Sequence, residues 1–393
     1  MTEKKRILFV DDDPDLLGGL RNVFYRDRKQ WDMTFALGGQ LGLDEVRRAP
    51  VDVVVSDMQM PGMDGATLLR SVKEESPATV RIMLTGHASR AAIGRLLPAL
   101  HQLLAKPCTP AVLREVIERS VGGVDPERDA RIRRIIGSVD NLPTPSDVFF
   151  ELSRLLQIET SSVAEITAVV TRDPALSVKM LQLVNNAYFG AHRVTTTIPQ
   201  AVSLLGLEQV RFIALSASVF VVPVAQVRLA RTLDRIREEA SCAARLARAF
   251  AEPAQRDVAF ASALLGNLGE VVLALCREAE FQLRRERIGR GERERDVELD
   301  LFGVTHHEIG ARLLAIWGLP MTIVDVVQFS QDPGSAPEAA RKLAGISHVA
   351  GAFARGGVPA ELDLGSLERA GCGDLVPAWR AIADSQGGAG ERA

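Results

Sequence analysis

Four short apolar runs punctuate the first hundred or so residues, and each ends on polar side chains. Ile7-Leu8-Phe9-Val10 leads into Asp11 and Asp12, and Val53-Val54-Val55 leads through Ser56 to Asp57. Ile82-Met83-Leu84 stops at Thr85, and Leu103-Leu104-Ala105 stops at Lys106. Continuous runs of this length read as strands of a parallel sheet covered on both faces. In an open sheet of that kind, chemistry collects at the carboxyl ends of the strands. The five residues Asp11, Asp12, Asp57, Thr85 and Lys106 are therefore expected at one edge. Asp13-Pro14 reads as a helix N-cap with proline at the first helical position.

Helical spacing dominates from about Ile135 onward. Ser162-x-x-Glu165 predicts a capping box. Asp173-Pro174 opens a predicted helix from Ala175 to Ala187, with Leu176, Met180, Leu183 and Val184 along one side. Thr197-Ile198-Pro199 opens a short one that stops at Gly206. No alternating run of more than a few residues occurs after position 140, so this part is expected to be nearly all α. Gly122-Gly123 marks the first boundary, and Asp125 to Arg134 is charged and helix-compatible. A later helix, Pro337 to Phe353, is expected to pack on the helical body. Gly387-Gly388-Ala389-Gly390 predicts a disordered end.

Length and charge narrow the classes. A chain of 393 residues suits two or three domains. With a net charge of −3, nothing predicts nonspecific affinity for nucleic acid or anionic membrane. Cys108, Cys242, Cys276 and Cys372 are too scattered for a zinc site or a disulfide framework and read as reduced thiols. Met1 to Arg6 leads straight into a strand without a signal-peptide apolar region. The apolar stretch Phe212 to Val227 contains Pro223 and is shorter than the ~20 residues of a membrane span, so a core helix is expected. A cytoplasmic location is the resulting expectation.

The five residues suit phosphoryl transfer. A carboxylate can attack phosphorus and form an acyl phosphate. Crowded carboxylates raise each other's pKa unless a cation sits among them, and Mg²⁺ is the hard, oxygen-seeking cation that fits. Lys106 adds a positive charge, and the Thr85 hydroxyl can bond a phosphoryl oxygen. Most of the remaining work is positioning and electrostatics.

With these residues and the stretch Ser56-Asp57-Met58-Gln59-Met60-Pro61-Gly62-Met63-Asp64-Gly65, the first 121 residues resemble a CheY-like response-regulator receiver domain. The resemblance implies a flavodoxin-like (βα)5 fold. It makes Asp57 the phospho-acceptor, Thr85 the switch hydroxyl and Lys106 the lysine that precedes a cis Pro107. Asp11, Asp12, Asp57 and the backbone carbonyl of Gln59 would hold Mg²⁺, with Asp12 the more direct of the acidic pair. Gln59 and His87 stand where the family tunes loss of the phosphoryl group. One departure concerns the family's switch aromatic, which falls near Leu103, a residue without a ring. Receivers also pair through a face that here spans Ser89 to Val121, and its sequence leaves homodimerisation open.

A second resemblance covers roughly 136 to 335. Leu142-Pro143-Thr144-Pro145, Arg172-Asp173-Pro174-Ala175-Leu176-Ser177 and Leu183-Val184-Asn185-Asn186-Ala187 match the pattern of HDOD domains. So do Ala201 to Gly206, Phe302 to Gly310 with His306 and Glu308, and Trp317-Gly318-Leu319-Pro320. HDOD domains resemble metal-dependent HD phosphohydrolases with an eroded metal site. Gly266-Asn267 stands where the His-Asp pair would be, the upstream histidine position falls near Ala240, and a downstream pair falls near Phe329-Ser330. His306 and His307 remain, and His306 is expected to cap or pack its helix. No metal is expected in this module.

The resulting expectation is an α/β plus all-α chain. Residues 1–121 form a doubly wound receiver and 122–135 a linker that could be helical. Residues 136–335 form the HDOD domain, 336–380 its helical extension, and 381–393 a disordered tail. A sensor histidine kinase would phosphorylate Asp57, and the HDOD module would bind a protein or small-ligand target without catalysing a reaction. The alternatives are an HD-type phosphodiesterase or phosphohydrolase and a nucleic-acid-binding regulator. Gly266-Asn267 argues against the first. The apolar segment Val210 to Leu215, in a would-be recognition helix, argues against the second. The run Arg284 to Arg295 mixes both signs and reads as a solvated loop or frayed helix end.

Overall fold

The apolar runs do form strands of one parallel sheet. The structure is a computed structural model that describes residues 4–86, 99–121, 126–137, 152, 155, 162–185, 195–217, 227–356 and 362–390. It divides into two compact units, the first running to Asn141 and the second starting at Leu142 and taking in most of the remaining chain.

In the first unit the strands are β1 (Lys5–Asp11), β2 (Trp31–Leu37), β3 (Val53–Asp57), β4 (Val80–Thr85) and β5 (Gln102–Ala105), in the order β2-β1-β3-β4-β5. All pairs are parallel. This is a doubly wound order, with its switch point between β1 and β3. Every residue of β3 and β4 is buried, as two-sided coverage demands. The helices are α1 (Pro14–Val23), α2 (Gly39–Arg48), α3 (Gly65–Glu75) and α4 (Pro110–Val121). Asp13 caps α1 as expected, accepting from the amides of Asp15 and Leu16. The register sets the working edge, since Val10 pairs with Ser56, Asp57 with Leu84, and Thr85 with Ala105.

The segment expected as a linker is helical and belongs to the first unit. Helix α5 (Pro126–Gly137) buries Ile132, Ile135 and Ile136. Arg133 on this helix reaches Asp52 at 2.5 Å and Asp129 at 2.7 Å, and Lys5 lies 3.5 Å from Asp129. Its last residue leaves no room for a side chain, because a β-carbon on Gly137 would lie 2.9 Å from the backbone of Pro77 and Ala78.

Among the described residues the second unit holds helices and no strand. They are α6 (Val163–Val170), α7 (Pro174–Asn185), α8 (Ile198–Ala217), α9 (Val227–Phe250), α10 (Arg256–Gly266), α11 (Leu268–Cys276) and α12 (Glu278–Gly289). Then come α13 (Glu294–Phe302), α14 (His306–Ile316), α15 (Met321–Gln328), α16 (Glu338–Ala354), α17 (Leu364–Arg369) and α18 (Val376–Gly390). Ser162 and Glu165 make the predicted capping box. Gly206, at φ 73°, kinks α8 where the first helical stretch was expected to stop. Part of the stretch Phe212 to Val227 lies outside the described residues.

Alanines at 243, 247, 259 and 350 let α9 approach α10 and α16 closely. Phe250 and Trp379 stack there with ring centroids 5.4 Å apart. That contact, with Ile382 and Ala383 beside the same core, anchors α18, which runs to Gly390. The segment from 381 is thus helical to 390, where a disordered tail was expected. Pro253–Cys276 is long and apolar enough to cross a membrane by composition, yet 83% of its window is buried inside the fold.

Candidate functional site

At the carboxyl edge of the sheet, three of the five residues, Asp11, Asp57 and Lys106, are in direct contact. The Lys106 ammonium lies 2.5 Å from Asp57 Oδ1 and 2.9 Å from Asp11 Oδ2. Burial pulls the Lys106 pKa down, but Asp57 and Asp11 outweigh it and hold the ammonium above its ordinary value. The Gln59 amide donates to Asp57 Oδ2 at 2.7 Å, so both oxygens of that carboxylate are oriented. Asp11 accepts from the Asp13 amide at 2.9 Å, and Asp12 beside it is exposed. Thr85 is buried and donates to Met58 Sδ at 3.3 Å. The Lys106–Pro107 peptide is cis.

Three carboxylates and one ammonium leave a net charge of −2 at this edge. That donor set, with the Gln59 carbonyl near it in sequence, fits a hard divalent cation. Leu103 is buried in β5. His87, and residues 89–98 of the face from Ser89 to Val121, lie outside the described residues.

A second polar constellation lies inside the helical unit, and it begins with two glycines. A β-carbon on Gly269 would sit 1.8 Å from the His306 carbonyl oxygen, and one on Gly310 would sit 3.1 Å from the Gly269 amide. At position 269 only glycine permits that approach of α11 to α14, and the approach brings Glu270 beside His306. Arg284, with 3% of its side chain exposed, bonds Glu270 at 2.7 Å, Glu294 at 2.6 Å and Glu298 at 2.7 Å. His306 Nδ1 lies 2.7 Å from Glu298 Oε1. Arg355 stands 3.8 Å from Glu294.

The charges in this cluster hold each other in place. Burial pulls Glu270 and Glu294 upward, but Arg284, His306 and Arg355 outweigh it and keep both below the usual carboxylate range. Burial would lower His306, yet Glu298 raises it above its ordinary value. Burial and then His306 push His307 well below its own.

Glu270, Glu294 and His306 place potential ligand atoms within 4.8 Å of one another. The Arg284 guanidinium already bridges both carboxylates. Displacing it would uncover two buried carboxylates, Glu270 and Glu298, and the half-buried Glu294.

Glu270, Arg284 and Glu294 border a cavity of about 920 Å³ lined in part by Gly266, Asn267, His307 and Ser330. Those positions include Gly266-Asn267, and Ala240 is fully buried. Capping of α14 falls to Thr305 and Glu308, which exchange hydrogen bonds of 3.2 and 2.7 Å, while His306 packs and pairs with Glu298. The run Arg284 to Arg295, expected as a solvated loop or frayed end, thus starts with a buried arginine. The signals were a lone Glu270 in an otherwise apolar helix and Glu294 and Glu298 one helical turn apart. Gly206 does separate two helical stretches, but Val210 after it is fully buried, which does not suit a recognition helix.

The response regulator receiver domain family matches residues 7–118, and the HDOD domain family matches residues 142–333. An uncharacterised protein of Treponema pallidum is 28% identical over 225 residues, spanning 55% of this chain and 42% of that protein. The transcriptional regulatory protein GlrR of Escherichia coli is 32% identical over 133 residues, spanning 33% of this chain and 29% of that one. The matches therefore cover less than half the length of these relatives. The MmoQ response regulator of Methylococcus capsulatus aligns at 25% identity and a TM-score of 0.48, over 61% of this chain and 98% of that one.

Proposed function

This chain is a response regulator that joins a receiver domain to an HDOD domain, and on that premise we propose that Asp57 is its phospho-acceptor and the HDOD domain a non-catalytic binding output. The observation that supports the reading most is the carboxylate of Asp57, held by Lys106 on one oxygen and by the Gln59 amide on the other. In the proposed reaction an Asp57 oxygen attacks the phosphorus of a phosphohistidine on a sensor histidine kinase. The phosphorus–nitrogen bond breaks, the imidazole leaves, and an acyl phosphate remains on Asp57. Lys106 then bonds a phosphoryl oxygen, and the Thr85 hydroxyl turns from Met58 to another. Asp11, Asp12, Asp57 and the Gln59 carbonyl would hold Mg²⁺, which supplies positive charge for the incoming group.

With no ring at Leu103, the coupling from Thr85 to the surface is proposed to leave by another face. The HDOD domain is proposed to bind without hydrolysing, since Gly266 and Asn267 stand at the positions of a His-Asp pair. Arg284 already serves as the cation among its carboxylates. A cytoplasmic location, with neither membrane nor nucleic acid as a partner, belongs to the same proposal.

Small-angle scattering and light-scattering mass of the full chain, with Mg²⁺ and with or without beryllofluoride, test the switch. A change in shape or mass that Asp57→Asn abolishes supports it. Unchanged scattering with beryllofluoride bound contradicts a global rearrangement.

A further inference from the structure

We propose that the cavity of the helical unit is a binding site for a phosphorylated small molecule of about nucleotide size, gripped at Arg285 and Arg235 and bound without being cleaved. The proposal rests on the reading of the HDOD domain as a binding output, and it names the ligand class that reading leaves open.

Size is the first argument. The cavity measures about 920 Å³, in the upper part of the range of small-molecule sites, and an inorganic phosphate alone would leave most of it unfilled. Its wall is kept open by small residues such as Ala263, Ala352 and Gly266, and a β-carbon on Gly266 would meet nothing within 4 Å.

Charge is the second. The inner carboxylates of the cavity are already committed, Glu270 and Glu294 to Arg284, Glu294 also to Arg355, and the half-buried Glu239 to Arg235 at 3.4 Å. A cation would have to displace Arg284 from a nearly sealed position. Arg285 stands differently, because its side-chain partner among the described residues is the Thr232 hydroxyl at 3.5 Å. Burial and then neighbouring Arg235 push its guanidinium below the ordinary value. The two guanidiniums lie near one another, Arg235 paired with Glu239 and Arg285 without an ion pair among the described residues, and it is Arg285 that favours an anion. The guanidinium fork matches phosphate oxygens two at a time.

Polar groups for orientation are the third. His307 lines the cavity, is 8% exposed, and its Nδ1 has no hydrogen-bond partner among the described residues. Asn267 lines it too and makes no side-chain cap bond at the start of α11.

Isothermal titration of the full chain in EDTA tests this with ATP, GTP, AMP and inorganic pyrophosphate, and with citrate as a carboxylate probe. Saturable binding of a nucleotide, tighter than pyrophosphate or citrate, is the expected result. Arg285→Ala, and Gly266→Leu which fills the cavity, should each weaken it about tenfold or more, a difference of roughly 1.4 kcal/mol. Arg285→Lys, which keeps the charge but loses the fork, should fall between. If Gly266→Leu does not fold, Arg285→Ala at its partly exposed position decides alone. The proposal is overturned if no phosphate probe binds at about 10 mM, if citrate binds as tightly, or if the variants bind like the parent. Phosphorus NMR of parallel samples with Mg²⁺ or Mn²⁺ in place of EDTA separates the two readings. Released phosphate would overturn binding without cleavage, and with it the non-catalytic output.

Discussion

Gly65 lies directly against the carbonyl of Asp57. A β-carbon at position 65 would fall 2.0 Å from the Asp57 carbonyl oxygen, and the Gly65 amide donates to Met58 at 3.0 Å. The loop between β3 and α3 is therefore closed tightly under the proposed acceptor, with Asp64 capping α3 through the Thr67 amide. Gly65→Ala is expected to lower the unfolding free energy by about 1–3 kcal/mol, as overpacking against backbone does. It should also slow phosphoryl uptake at Asp57. Urea unfolding with a phosphorylation assay checks both, and parental values in both assays would disprove the claim.

Lys106 is a group that contacts the reacting carboxylate. Lys106→Met keeps much of the stem and removes the charge near Asp57 and Asp11. Phosphoryl uptake from a small-molecule donor should drop by about 10²-fold or more, the scale of losing one preorganised charge donor. Quench-flow rates with matched circular dichroism would show it. An unchanged rate would remove Lys106 from the mechanism.

Arg284 is expected to be a stability residue first. Arg284→Met strands Glu270, Glu294 and Glu298 in a buried site and should cost about 3–5 kcal/mol. Replacing Arg284 together with all three acids by apolar residues should recover much of that loss. Denaturant midpoints of the two variants decide the matter, and a near-neutral Arg284→Met would contradict the cluster as described.

The two histidines pull pH dependence in opposite directions. The folded pKa of His306 is raised by Glu298 against burial, so its contribution is full below the ordinary value near ~6.5 and is lost as pH rises through the folded value. His307 is depressed by burial and by His306, so its contribution is full above ~6.5 and shrinks as pH falls, because the unfolded chain takes up a proton there that the fold refuses. Stability of the helical unit should therefore peak near pH ~6.5. Unfolding measured across the range should show His306→Gln flattening the alkaline side and His307→Gln the acid side. The same slope in both variants would refute the assignment.

The legible parts of the sequence were those where one physical constraint dominates. β1, β3, β4 and β5 announced themselves as buried apolar runs, and Asp13-Pro14 and Ser162-x-x-Glu165 as caps. β2 was not read, because Trp31-Asp32-Met33-Thr34-Phe35-Ala36-Leu37 is an edge strand with one side partly open and no continuous apolar run. The Asp57 edge could be assembled on paper, since parallel register places strand ends together. The Arg284 cluster could not. Its members come from α11, α12 and α13, and a run such as Arg-Arg-Glu-Arg looks solvated until packing shows which arginine turns inward. The α5 dock was hidden likewise, since Asp129 and Arg133 pair with Lys5 and Asp52 far away in sequence. The helical end of α18 depended on Trp379 finding Phe250, a contact no local pattern encodes.

The most direct measurement is intact-protein mass spectrometry of the full chain after exposure to Mg²⁺ and acetyl phosphate, with Asp57→Asn in parallel. The account predicts the added mass of one phosphoryl group on the parent, mapped to Asp57 and absent from the variant. No adduct on the parent, or an equal adduct on Asp57→Asn, would contradict it.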